Sequence, residues 1–268
     1  VFCRGAGGAG GLLGGACALP RREIKSLKGK SNASARWVRR QWNDPIVKQA
    51  KREGLRSRAA FKLRELNTKY QLIRKGDVVL DLGAAPGGWT QIAVEAACPG
   101  IKKAVPEANP DTKQQSQQQP DKVNVIALDL KHFDPLIGAA IVVGDFRQAQ
   151  VRSEIDRLLH GRKANVVLSD MAPSFSGNFL TDSQAQLRLC HNALKMAELY
   201  LKPGGNFATK ILRCDGSEEF RDELKANFEF VKGMKPLSSR SESTEMFLVA
   251  KGYKGKKEAS DGEEAKET

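Results

Sequence analysis

Five ionisable residues, Asp81, Asp129, Asp145, Asp170 and Lys210, stand late in short apolar runs: DVVLDLG, NVIALDL, AAIVVGD, ANVVLSD and GNFATKI. Acids often follow strands as helix caps. A lysine late in an apolar strand must instead reach solvent along its stem or have a polar pocket waiting. In open α/β sheets ligands bind outside the C-terminal strand ends, so these five positions aim binding and proton-handling groups at one crevice. Glu245 opens the last run, EMFLVAKGY. Its predecessor FEFVKGMKP lies close in sequence, which favours a hairpin and an antiparallel final strand. Glu245 would then lie on the same edge of the sheet as the other five.

The first of these runs feeds a Gly/Pro loop, with VVLDLGAAPGGW spanning Val78 to Trp89 and the helix-like TQIAVEAA following. Gly83, Gly87 and Gly88 allow a sharp turn and close approach to a ligand, and the helix start offers unpaired N–H groups. A phosphate-binding loop would place lysine before Thr90, where Trp89 stands, and a dinucleotide loop would place glycine at Ala85. S-adenosylmethionine is the remaining common ligand. It has no phosphates, and carboxylates at neighbouring strand ends can hold its adenosine.

These residues need a scaffold that brings strand ends together. Short apolar runs alternate with helix-like segments such as VRSEIDRLL and QLRLCHNALKMAELYL, which predicts a mostly parallel sheet with helices on both faces. Asp44 and Pro45 resemble a helix start, and Ser57 is expected to cap a second helix through RAAFKLRELNTKY. The chain of 268 residues is 40% apolar and 28% charged, enough for one substantial core, and no apolar run approaches a membrane span. Cys3, Cys17, Cys98, Cys190 and Cys214 are scattered, as are His132, His160 and His191, so neither a disulfide framework nor a metal site is expected.

Charge is uneven. Arg21 to Lys75 holds 18 Lys and Arg against 4 Asp and Glu, whereas the whole chain carries +13, so the remainder is close to neutral. A basic excess confined to one segment is the footprint of a nucleic-acid partner. Lys48, Lys51, Arg52, Arg56, Arg58 and Arg64 are the expected phosphate contacts, with Arg56 and Arg58 not needed by the ligand of the Gly-rich loop. Residues 1–35 read as a transit-peptide-like basic segment, 36–253 as the catalytic domain with a low-complexity insertion at 99–121, and 254–268 as a solvated charged tail.

Five separated motifs carry a family resemblance: GLRSRAAFKL from Gly54, DLGAAPGGW from Asp81, SDMAPSFSG from Ser169, the strand bearing Lys210, and SSRSESTEMFLVA from Ser238. Together they resemble the FtsJ/RrmJ family of RNA ribose 2′-O-methyltransferases over roughly Pro45 to Gly252. The SDMAP form is similar to the large-subunit ribosomal RNA branch. NDPIVKQAKREG and the transit-like start are similar to the mitochondrial rRNA methyltransferase 2 group, which implies a mitochondrial location and a uridine target.

The resemblance implies a Rossmann-like class I methyltransferase fold with a seven-stranded sheet. Lys62, Asp170, Lys210 and Glu245 match the family's catalytic tetrad. Gly87, Trp89, Asp129, Asp145 and Asp170 match its contacts to S-adenosylmethionine, with Gly83, Pro86 and Gly88 completing the donor loop. Asp129 lies further from that loop than is usual for a ribose-binding acid, because the 99–121 insertion intervenes. Methyl transfer to a hydroxyl requires in-line placement and a base for the 2′-OH proton. Lys210 is the expected base, Lys62 the second cation that destabilises its ammonium, Asp170 and Glu245 the orienting acids. The expected partner is ribosomal RNA or a large-subunit precursor, bound by a monomer. A transfer RNA methyltransferase and a ribosome-assembly factor of the same fold are the alternatives.

Overall fold

The computed structural model describes residues 42–101 and 123–255. The transit-like segment 1–35, most of the 99–121 insertion and all but the start of the 254–268 tail lie outside the described residues. The chain divides into two units after Asp44, and the sheet with its helices belongs to the unit from Pro45.

Two helices, α1 (Pro45–Arg52) and α2 (Ala59–Tyr70), precede an alternating run. Its elements are β1 (Val79–Leu82), α3 (Gly88–Ala97), β2 (Val125–Asp129), β3 (Ala139–Val143), α4 (Ala149–Leu159), β4 (Ala164–Ser169), α5 (Phe179–Tyr200), β5 (Leu201–Leu212), α6 (Ser217–Asn227), β6 (Phe228–Met234) and β7 (Glu245–Tyr253). The sheet order is β3-β2-β1-β4-β5-β7-β6. Strands β1 to β5 run parallel, and β7 inserts antiparallel between β5 and β6, as the short β6 to β7 connection predicts. Strand β5 starts earlier than GNFATKI, because α5 passes into it at Leu201 without a loop.

Alternation along the strands builds two apolar layers. Leu80, Leu82, Ile126, Val167, Phe207 and Leu248 pack with Ile155 of α4, Leu194 of α5 and Phe220 of α6. Val79, Val125, Val166, Ala208, Phe247 and Val249 pack on the other face with Phe61 and Leu66 of α2 and Trp89 of α3. Helices therefore cover both faces, and α2 lies over the face onto which Asp81 points. The order of strands reverses at β1 and β4, so their C-terminal ends form the switch point of the sheet. No described helix is long and apolar enough to cross a membrane.

One local expectation fails. Ser57 does not cap α2: Arg58 occupies the N-cap without a side-chain bond, and the buried Ser57 hydroxyl has no partner among the described residues. The Ala60 and Phe61 N–H groups bond the Ser57 and Arg58 carbonyls instead, both at 3.2 Å. Packing overrides capping here. A methyl group placed on Gly88 would lie 2.1 Å from Ser57 Oγ, so the start of α3 is pressed against this side chain.

Candidate active site

Parallel register sets Leu82 beside Ser169, which places the ends of β1 and β4, with Asp81 and Asp170, side by side. On the next strand Lys210 pairs with Phe247 of β7, and Leu212 pairs with Glu245. The antiparallel direction of β7 thus brings Glu245 to the edge occupied by the C-terminal ends of β1 to β5.

Lys62, Asp170, Lys210 and Glu245 meet there as two ion pairs. Lys210 Nζ donates to Asp170 Oδ1 at 2.9 Å and to the Asp170 carbonyl at 2.6 Å. Lys62, reaching down from α2, donates to Glu245 Oε1, which also accepts from Ser239 Oγ at 3.1 Å. Both lysines are only 8% exposed, so each ammonium depends on its carboxylate partner. Burial works against the charge of Glu245. The Lys62 ammonium and its hydrogen bond, the field of Lys210 and the Ser239 hydroxyl more than compensate, holding the carboxyl below its usual range. The effect of Lys210 on Glu245 joins the two pairs into one electrostatic group.

Two groups absent from the sequence-based expectation hold Lys210 in place. Gln186 of α5 donates through Nε2 to the Lys210 carbonyl at 2.9 Å and to the Met171 carbonyl at 3.2 Å, tying β5 to the loop that follows Asp170. Cys190 Sγ lies 3.2 Å from the same Lys210 carbonyl. Burial pushes the Cys190 thiol up to about 11, so it acts as a packed donor and not as a nucleophile. The available signal was a glutamine one helical turn before a cysteine on an otherwise apolar helix face.

The other half of the crevice is built around the Gly83 to Gly88 loop, with a cis Ala85–Pro86 bond. Gly83 and Ala84 donate to the Leu128 carbonyl at 2.8 and 3.1 Å, and Ala85 donates to Asp129 Oδ2 at 2.9 Å. Asp129 Oδ1 accepts from the Lys131 N–H at 2.8 Å, so this acid fixes the loop whatever else it binds. Gly87 takes φ +99° as the N-cap of α3, without a side-chain cap bond. The glycines are needed for internal contacts: a Cβ on Gly83 would lie 2.5 Å from Met171, and one on Gly87 would lie 2.8 Å from Arg56 Nη1. Trp89 is 2% exposed, stacks near Phe247 and donates its indole N–H to the Ala59 carbonyl at 2.9 Å. Only its backbone is free to meet a ligand.

Asp81 lies beneath this loop, fully buried, with Oδ2 accepting from Thr90 Oγ1 at 2.7 Å and Oδ1 without a partner. Burial, helped by the fields of Asp170 and Asp129 and opposed by the Thr90 bond, pushes its carboxyl up to about 7. Three carboxyl groups at adjacent strand ends disfavour a phosphate and favour a cation. S-adenosylmethionine, with a sulfonium and an ammonium, suits that potential. Asp145 stands two residues past β3, where Arg147 clamps it at 2.9 to 3.0 Å through Nε and holds its carboxyl below the usual range.

The basic segment divides in two. Lys48, Lys51 and Arg52 are exposed on α1. Arg56 instead donates to the Asp134 and Pro135 carbonyls, each at 2.5 Å, and Arg58 donates to the Ser238 carbonyl. Arg64 pairs with Glu53 at 2.7 Å. Arg56 and Arg58 are therefore committed to loops around the crevice. Both were expected to contact RNA without serving the methyl donor; in the structure they bond loop carbonyls, and Arg56 lies against Gly87 of the Gly-rich loop.

Residues 55–253 match the family described as FtsJ-like methyltransferase. Ribosomal RNA large subunit methyltransferase E of Parvibaculum lavamentivorans is 42% identical over 255 residues, covering 95% of this chain and 94% of that protein. Its namesake in Marinobacter nauticus is 39% identical over 225 residues, covering 84% and 98% respectively. In three dimensions, a structure described as a ribosomal RNA methyltransferase of Plasmodium falciparum aligns with TM-score 0.59 and 26% identity, over 75% of this chain and 100% of that one.

Proposed function

The chain belongs to the FtsJ-like methyltransferase family, and from that premise we propose that it methylates a ribose 2′-OH, on a uridine of large-subunit ribosomal RNA. The observation that carries this reading is the position of Lys210. The residue is 8% exposed, its Nζ bonds Asp170, and its charge acts on Glu245, the partner of Lys62. The substrate class of the relatives supports ribosomal over transfer RNA.

S-adenosylmethionine, when bound, supplies a methyl group activated by its sulfonium charge. Asp129 and the loop from Gly83 to Gly88 would hold it, with Asp170 at the border between the two substrates. In this reading the neutral amine of Lys210, its ammonium proton already released to solvent, takes the 2′-OH proton as the methyl group moves to that oxygen, and Asp170 fixes its Nζ through two hydrogen bonds. Lys62 and Glu245 position the ribose. The four groups act as one electrostatic cluster, because the field of Lys210 reaches Glu245, the partner of Lys62. Gln186 holds the Lys210 backbone so that the amine does not drift from its line of approach.

Ribose methylation mapped across all ribosomal and transfer RNAs, with and without the protein, tests the substrate. One lost mark in large-subunit RNA is expected, whereas loss confined to transfer RNA overturns the assignment. The Arg-bearing, acid-poor composition of residues 1–35 supports a mitochondrial site of action. Incubation of the full chain with isolated mitochondria should yield a shortened, protected form, and failure to enter would remove that location.

A further inference from the structure

Two large apolar side chains, on the loops that follow β4 and precede β7, have no role in the tetrad or the donor loop. Phe175 is 60% exposed and Leu237 is 94% exposed. Single exposed apolar residues are ordinary on a protein surface, but both of these sit on loops held by a carboxylate. Asp182, itself 8% exposed, accepts from Ser176 N at 2.7 Å, from Ser176 Oγ at 2.8 Å and from Gly177 N at 3.1 Å. Glu65 of α2 accepts from Leu237 N at 2.6 Å and from Ser238 N at 2.9 Å, while Arg58 donates to the Ser238 carbonyl.

Each loop is also joined to the tetrad. The Phe175 loop leaves β4 at Asp170, and Gln186 ties its next residue, Met171, to the Lys210 carbonyl. The Leu237 loop enters β7 at Glu245 and includes Ser239, which donates to Glu245. Strands β4 and β7 flank β5, the strand of Lys210, so the two loops leave the sheet on opposite sides of that lysine. A loop fixed with a phenyl ring in water has been ordered before any ligand arrives. Such preorganisation serves binding, because the ordering cost is not charged to the complex.

The occupant follows from the chemistry of the crevice. A ribose hydroxyl can approach the buried Lys210 only if its nucleotide leaves the regular helix stack, and unstacked bases expose apolar faces that aromatic side chains cover. We propose that Phe175 is a stacking platform for an RNA base at or beside the methylated ribose, with Leu237 as the apolar contact on the other side of β5. This rests on the reading of the chain as an RNA ribose methyltransferase and adds the residues that hold the strand open.

The test uses the full chain and a short single-stranded RNA containing the methylated position, with 2-aminopurine stepped through that position and its two neighbours. Wild-type protein should quench the probe at one of these positions. Phe175→Ala should abolish the quench and raise the KM for RNA roughly 5- to 150-fold, the range for losing one base–aromatic stack. Affinity for S-adenosylmethionine should not change. Phe175→Tyr should restore both signals, and Leu237→Ser should give a smaller rise in KM. Circular dichroism of each variant separates loss of stacking from loss of fold. Unchanged quench and KM in folded Phe175→Ala would overturn the platform while leaving the methyltransferase reading intact. If the wild type methylates only a transfer RNA, the ribosomal substrate falls, and the Phe175 measurements can be made on that RNA instead.

Discussion

In the ribose half of the crevice every carboxylate has a lysine against it, Asp170 with Lys210 and Glu245 with Lys62. In the donor half Asp81 and Asp129 have no cation within ion-pair distance among the described residues, and they are held by Thr90 and by backbone N–H groups. The contrast matches the two tasks. A half that binds a cationic donor benefits from negative charge that only the ligand neutralises. A half that must move one proton benefits from charges already balanced, so that the proton changes partners without leaving a buried charge alone.

The largest expected effect comes from unbalancing the ribose half. Lys210→Ala removes the proposed base and leaves Asp170 without its ammonium partner. Methyl transfer should fall by about 10²- to 10⁴-fold, the usual range for a general base. Donor affinity, measured by calorimetry, should stay within a few-fold, because the donor loop does not use this side chain. Near-normal transfer by a folded Lys210→Ala protein would exclude the lysine as base. A collapse of donor affinity would dissolve the distinction between the two halves.

Most of this arrangement was legible because strand ends are legible. Asp81, Asp129, Asp170 and Lys210 follow apolar runs, and topology alone brings such ends to one edge. Glu245 required one more step, the direction of β7, which the hairpin connection supplied. Lys62 was different: nothing in the pattern of α2 says which part of the sheet it covers, and only the motif resemblance pointed to it. Gln186 escaped notice because its contact is with a backbone carbonyl 24 residues away, a relation with no periodic signature. The carbonyl partners of Arg56 and Arg58 were hidden for a related reason. A guanidinium adds the same charge to a basic segment whether it faces a phosphate or a carbonyl, and here both face carbonyls.

A smaller effect sharpens the donor half. Its loop is shaped by what the rest of the protein presses against it, since Ser57 Oγ occupies the place of any side chain on Gly88. Gly88→Ala should destabilise the fold by about 1–3 kcal/mol through overpacking and weaken donor binding with it. Thermal unfolding should show part of that loss recovered when Ser57→Ala is added, because the clashing hydroxyl is then gone. Equal stability of Gly88→Ala and wild type would mean that α2 and α3 can separate at no cost, and the loop would then be less constrained than its contacts indicate.

The finest test addresses the charge of the donor half itself. The Asp81 carboxyl is pushed up to about 7 from an ordinary 3.8, so the folded state keeps a proton that the unfolded chain has lost between these values. Its contribution to stability is therefore greatest below about pH 4 and declines as pH rises toward 7. A cationic donor favours the ionised form, so donor affinity should rise as pH increases through about 7, by at most about tenfold per pH unit for one group. Calorimetric titration of S-adenosylmethionine from pH 6 to 8 should show this rise in the wild type. Asp81→Asn should flatten it, along with the decline in stability between pH 4 and 7. The other charged groups whose fields reach Asp81 are Asp170 and Asp129. A pH dependence that survives Asp81→Asn would mean that the Asp81 carboxyl is not the group the donor responds to. The unpartnered Oδ1 of Asp81 would then be a feature of loop packing and not of donor recognition.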